Sequence, residues 1–342
     1  MDLTELQEVL NKEPPYRLRQ VKILLFQELI DDWTKATTLP LVLREQLKQK
    51  CPLDISAETF VSKDRNTVKS LITLKDGLKI ETVLMSHKKG ETNTICTSSQ
   101  VGCPLGCSFC ATGKMGYSRN LEQLEIVEQI LFFARYLKKL DQKITNVVFM
   151  GMGEPFLNYE NVIAAIRTLN DKEGLNLGAR RFSISTVGII EGIKKLAEEK
   201  LQINLAVSLN APDDELRLKI MPIDQKYPIH KILDAVDAYI EKTHRRVMFE
   251  YVMIKDFNDS DRCAAKLARL LKSKLCFINL IPYNPTGIFD ASLSDRISKF
   301  KAVLKNAGIT VTQRYRFGHQ IKAACGQLAH GGEPVEPGGR AT

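Results

Sequence analysis

Three closely set cysteines carry the clearest chemistry in this chain: Cys103-Pro-Leu-Gly-Cys107-Ser-Phe-Cys110. Gly102 and Gly106 let the backbone curl round a ligand held by all three thiols. The informative feature is the count, three sulfurs with no fourth nearby. A structural zinc site takes four protein ligands, and an electron-transfer [4Fe–4S] cluster takes four cysteines. Three thiolates on a four-iron cluster leave one iron open to a small molecule. The same spacing also admits a zinc site completed by a distant His or Cys, or thiols that are simply buried.

The spacing, with the aromatic Phe109 before the last cysteine, resembles the signature of the radical S-adenosylmethionine (SAM) enzymes. A glycine-rich stretch follows about 40 residues later, where Val147-Val148-Phe149-Met150 runs into Gly151-Met152-Gly153-Glu154-Pro155. It is similar to the superfamily loop that approaches the amino-acid end of SAM, where a carboxylate can accept from the ammonium. The likeness narrows further. Thr94-Ile-Cys96-Thr-Ser-Ser-Gln-Val-Gly-Cys103, Ala111 to Leu121, Ser183-Ile-Ser-Thr186, Met221-Pro-Ile-Asp224, Asn279 to Pro285 and Ala323-Ala-Cys325-Gly-Gln-Leu328 resemble the RlmN/Cfr family of RNA adenine methyltransferases. With Tyr16 to Gln20 and Leu39 to Arg44, the resemblance covers residues 10 to 328.

That resemblance implies a [4Fe–4S] cluster on Cys103, Cys107 and Cys110, two SAM molecules per turnover, and a 5′-deoxyadenosyl radical. Cys325 matches the methyl-carrying cysteine. Cys96 matches the resolving cysteine that forms a transient disulfide with Cys325, and Glu81 matches the general base. SAM contacts carry over to Gly153, Glu154, Ser185, Ser208, Leu209, Asn210 and Asn284. Asn210 departs from the family's Ser-Leu-His, and Gln320 and Lys322 stand where acidic residues are common. The implied substrates are an adenosine of 23S rRNA and the adenosine beside the tRNA anticodon. Gly153 to Asn158 and Gly113 to Arg119 are more like the branch that methylates adenine C2 than the C8-specific, Cfr-like branch. A flavodoxin or ferredoxin is the implied electron donor, and the protein is expected to be a monomer.

The elements that must position these residues change texture along the chain. Residues 1–55 set apolar residues at helical spacing and predict a helical accessory domain suited to RNA binding. Residues 56–95 predict a β-hairpin linker that turns at Lys75-Asp76-Gly77 and bears Glu81. From 96 to 330, six candidate strands alternate with six candidate helices. Such alternation argues for an α/β fold with a parallel sheet, a partial (β/α)6 radical SAM barrel whose site lies at the C-terminal strand ends, or a doubly wound sheet. Residues 331–342 are expected to be a disordered tail.

Composition sets the outer limits. Of 342 residues, 44% are hydrophobic and 26% charged, which excludes disorder and fibrous repeats as the main state. No apolar run approaches the roughly 18 residues of a membrane helix, and the start, Met1-Asp2-Leu3-Thr4-Glu5, lacks signal-peptide order, so a cytoplasmic protein is expected. The net charge of +9 allows a polyanionic partner. Lys301, Lys305, Arg314, Arg316 and Lys322 form an acid-free approach to Cys325, with Tyr315 and Phe317 as candidate stacking residues. Arg245-Arg246 and Lys88-Lys89 are further candidate phosphate contacts. Cys51, Cys263 and Cys276 match no motif and read as packing residues.

Overall fold

Burial along the strands explains why these runs extend. Phe182-Ser-Ile-Ser-Thr186 buries every second side chain, whereas Val247–Met253 is buried almost throughout, as a parallel strand covered on both faces should be. The computed structural model describes residues 3–87, 90–315 and 318–329. Lys88, Lys89, Arg316, Phe317 and the tail 331–342 lie outside the described residues.

The chain begins with α1 (Leu3–Leu10), α2 (Pro15–Lys22) and α3 (Leu41–Lys50), packed around Leu24, Leu47 and a fully buried Trp33. The Trp33 indole donates to the Cys51 carbonyl at 2.7 Å, so the ring is buried without orphaning its N–H. This apolar cluster is continuous with that of the barrel.

An antiparallel meander follows, β1 (Ala57–Val61), β2 (Thr67–Thr73) and β3 (Lys79–His87), joined to β4 (Thr92–Thr97). The β2–β3 turn falls at Lys75-Asp76-Gly77, where Gly77 takes φ +81°. A two-stranded pair, β5 (Gln100–Gly102) and β6 (Tyr117–Asn120), brackets the three-cysteine loop and the short α4 (Ala111–Lys114). Their brevity left no periodic signal in the sequence.

From β4 onward the same ten-stranded sheet is parallel. β4 leads through the loop to α5 (Gln123–Lys138), β7 (Asn146–Phe149) to α6 (Tyr159–Asn170), and β8 (Phe182–Thr186) to α7 (Ile190–Glu198). β9 (Asn204–Ser208) leads to α8 (Asp214–Ile220) and α9 (Ile229–Thr243), β10 (Val247–Met253) to α10 (Asp261–Leu271), and β11 (Cys276–Pro282) to α11 (Ser294–Asn306). These are the six units of the expected partial barrel. A three-residue β12 (Val311–Gln313) adds on beside β11. The sequence did not announce α8, whose charged run becomes helical under an Asp213 cap that accepts from the Leu216 N–H. No described helix is long and apolar enough to cross a membrane.

Register carries a buried ion pair onto the face that matters. Val83 of β3 pairs with Cys96 of β4, and Lys69 of β2 pairs with Val83. Residues two apart share a face, so Lys69, Glu81, Met85 and Cys96 all point to one side. There Lys69 Nζ meets Glu81 Oε1 at 2.7 Å, with both side chains at most 1% exposed. Removing one partner strands a buried charge and costs roughly 3–5 kcal/mol, whereas an apolar pair recovers much of that. Chemical unfolding should therefore rank K69M well below the wild type and K69M/E81L above K69M. A K69M protein as stable as the wild type would remove the ion pair from this account.

Candidate active site

A cavity of about 1470 Å³, its open mouth included, lies at the C-terminal end of the parallel strands. Residues from distant parts of the sequence form its walls: Cys96, Cys103, Cys107, Cys110, Gly153, Glu154, Ser185, Ser208, Asn210, Asn284 and Cys325. Parallel strands bring this about, because each delivers its following loop to the same end of the sheet.

Backbone conformation shapes the three-cysteine loop. Gly102 takes φ +76°, and a Cβ there would lie 2.0 Å from the Gly116 carbonyl oxygen, so only glycine permits this approach of β5 to β6. Burial pushes the Cys103 thiol up to about 12 and raises that of Cys107 as well. Thiolates here therefore need a bound cationic centre to compensate them. Among the described residues no three His, Cys, Asp or Glu side chains converge on a single ion site. Three thiols spread along one cavity wall suit a larger group, and the donor set fits the implied iron–sulfur cluster.

The glycine-rich loop lines the same cavity. Gly153 takes φ +96°, and a Cβ there would fall 2.5 Å from Gln100 Cβ. Glu154 is buried and accepts from the Phe156 and Val187 N–H groups at 3.1 and 2.9 Å. Asn284 donates from Nδ2 to the Cys325 carbonyl at 3.1 Å, while its buried Oδ1 has no hydrogen-bond partner. An orphaned acceptor in the same cavity as a buried carboxyl group fits a ligand with an ammonium or hydroxyl donor, as SAM has. Asn210, at φ +58°, accepts from the Val252 N–H at 3.0 Å, so its amide is engaged by β10. Leu209 is fully buried and does not wall the cavity; its main chain bonds Glu250 and Arg217 instead.

The Cys325 segment is tied down at several points. The Ala111 N–H donates to the Gly326 carbonyl and the Thr112 hydroxyl to the Leu328 carbonyl, each at 2.7 Å. Cys325 is thereby fixed next to the three-cysteine loop and faces the same cavity as Cys96. Burial pushes the Cys96 thiol up to about 12, with the charge of Cys325 adding to the rise and Arg314 opposing it.

Two further residues of this site were not identified as such from sequence. Arg314, read as part of a cationic approach for phosphates, turns inward and contacts Glu250 at 3.4 Å. Glu250 accepts from Ser185 at 2.6 Å and Ser208 at 3.2 Å through its other oxygen. Its signal was available: one carboxylate in the otherwise uncharged run Val247–Met253. Glu81 shares the face of Met85 and Cys96, but its carboxyl group is held by Lys69 and is not among the cavity walls. Tyr315 is 71% exposed at the cavity mouth, its ring 5.3 Å from that of His87.

Glu154 makes the site pH-sensitive. Burial raises it from its ordinary 4.5 to about 7, with backbone N–H groups opposing. Its protonated form is favoured by folding, so this contribution to stability is complete below 4.5 and is lost as pH rises through about 7. E154Q, neutral throughout, should gain unfolding free energy on the wild type as pH is raised across that window. Parallel stability profiles for the two proteins would contradict this burial.

Comparison with known proteins agrees with the geometry. Residues 97–267 match the family model of the Radical SAM superfamily. The probable dual-specificity RNA methyltransferase RlmN of Dictyoglomus thermophilum is 47% identical over 331 residues, 96% of this chain and 94% of that protein. The similarly named protein of Geobacillus thermodenitrificans is 44% identical, covering 96% of this chain and 91% of its own length. The crystal structure of a radical SAM methyltransferase from Sphaerobacter thermophilus superposes with a TM-score of 0.92 at 44% identity, over 96% of this chain and 97% of that one. Likeness of this degree over nearly the whole length leaves one assignment: the chain belongs to the radical SAM superfamily and, within it, to the RlmN family.

Proposed function

We propose that this protein methylates adenine at C2 in 23S rRNA and in tRNA beside the anticodon, with Cys325 carrying the methyl group. One observation supports this reading above the others: Cys96 and Cys325 wall the same cavity as the three-cysteine motif. A single metal centre has no use for two extra thiols, whereas a covalent route needs one to carry and one to release.

Cys103, Cys107 and Cys110 are assigned as the cluster ligands, and Gly153, Glu154, Ser185, Ser208, Asn210 and Asn284 as the SAM contacts. Leu209, buried outside the cavity lining with its main-chain N–H and carbonyl already engaged, leaves the SAM set. Bound together, the cluster and SAM supply one-electron cleavage chemistry. The rest falls to this chain. Cys325 accepts a methyl group from one SAM, and a second SAM is consumed in activating it. Cys96 displaces the product by forming a disulfide with Cys325, and a cellular reductant reopens that disulfide. Glu81 is assigned as the base that takes the ring proton; its buried Oε2 has no hydrogen-bond partner, which leaves an acceptor available. Tyr315, exposed at the mouth, is placed to stack on the substrate base or its neighbour. Residues 1–55 are assigned as an RNA-binding accessory unit, supported by the exposed Tyr16 ring under the Arg17 guanidinium at 4.9 Å.

Mass spectrometry of nucleosides from rRNA and tRNA tests this directly, in a strain whose own activity is deleted and replaced by this protein. 2-Methyladenosine is expected in both RNAs, and 8-methyladenosine in its place would refute the C2 assignment. C325A should yield no methylated adenosine, and C96A should accumulate an RNA–protein crosslink through Cys325. Normal methylation by C325A would exclude a methyl-carrying role for that thiol. Anaerobically purified protein should hold about four irons per chain; stoichiometric zinc would rule out the cluster.

A further inference from the structure

The Arg314 guanidinium is poorly used by the protein around it. The Arg314 N–H donates to the Leu280 carbonyl at 2.9 Å, which fixes where its side chain leaves the sheet edge and enters the cavity. Inside, its contacts are a long one to Glu250 Oε1 at 3.4 Å and two to the Met150 sulfur at 3.5 and 3.6 Å. A thioether is a weak acceptor, and a guanidinium has five N–H donors. Glu250 also spends its other oxygen on Ser185 and Ser208. A cation with donors to spare, walling a cavity that holds two reactive thiols, is built for an anion that forms during the reaction.

We infer that Arg314 is the charge partner of the two working thiols, stabilising the anionic sulfur of Cys325 as it accepts a methyl group and that of Cys96 as it attacks. This inference rests on the roles assigned to both cysteines above. In the first step the Cys325 thiol gives its proton to solvent, and the thiolate forms a sulfur–carbon bond with the methyl group of the sulfonium. The sulfonium carbon–sulfur bond breaks, and its electron pair stays on the departing thioether. The thiolate, not the thiol, is the nucleophile. Cys96 needs such help, since burial opposes its ionisation. The reciprocal effect runs the same way, because the charge of Cys325 is the largest influence raising Arg314. The charged and titratable groups facing the pair are Arg314 after β12, Glu250 on β10, and the two thiols from β4 and the C-terminal segment. The uncharged wall is Met150, Ser185 and Ser208.

Thiol reactivity tests this without RNA or SAM. Iron-loaded protein is alkylated with iodoacetamide over a neutral-to-alkaline pH series, and peptide mass spectrometry follows Cys96 and Cys325, with Cys276 as an internal control. In R314Q and R314M both thiols should be alkylated roughly ten- to a thousandfold more slowly than in the wild type at any one pH of the series, as for loss of a nearby opposite charge. R314K should recover part of the loss, and Cys276 should not change. Coincident profiles for R314Q and the wild type, with equal thermal unfolding, would overturn the assignment. A shifted profile in a protein that methylates no RNA would leave Arg314 as the charge partner and refute the function instead.

Discussion

The contact between Arg314 and Glu250 joins the middle of the parallel sheet to the chain that runs on to Cys325. Glu250 stands in the middle of β10, receives hydroxyls from the ends of β8 and β9, and meets the guanidinium that follows β12. One carboxylate thus adds, to the ladder bonds of three barrel strands, a tie to the chain that goes on to Cys325. A buried carboxylate is costly unless compensated by hydrogen bonds and charge. The compensation comes from the C-terminal ends of the strands, where the cavity opens. Stability and site geometry are the same requirement at this point.

The cavity combines poor hydration with several ionisable groups, and the two features depend on each other. Exclusion of water drives Glu154 to about 7 and Cys96 to about 12. Glu154 is therefore poised to change charge when a ligand or a neighbour changes, whereas Cys96 stays protonated unless an opposite charge compensates it. The walls balance this with local donors: backbone N–H groups toward Glu154 and serine hydroxyls toward Glu250. Low dielectric makes each of these contacts stronger than it would be in water.

Much of this was legible in the sequence because its signals are local. The three-cysteine spacing, the glycine loop and the alternating strand and helix runs each occupy a short window. Five of the six candidate strands became β7 to β11, the sixth shrank to β12, and the first barrel strand, β4, came from the end of the stretch read as linker. Short elements escaped notice: β5 and β6 have too few residues for a period, and α8 depends on one cap. Charged residues that act through tertiary contacts were the harder class. Lys69 and Glu81 look like the solvated face of a hairpin strand until register closes them against each other. Arg314 looks like a phosphate contact in a basic stretch, because no local pattern says which way a side chain turns at a sheet edge. In each case the outcome depends on what lies across the sheet.

The bonds that hold the Cys325 segment also fix the order in which the site is built. Gly326 and Leu328 take their donors from Ala111 and Thr112, in the loop that bears the three cysteines. Cys325 lies beyond every strand of the sheet, so it leaves the ribosome after those strands and the three-cysteine loop have been made. Since chains fold from the N-terminus as they emerge, the loop exists before Cys325 is beside it. The nascent protein passes through a stage in which the strands and the three-cysteine loop are made and the segment that bears Cys325 has yet to dock on them.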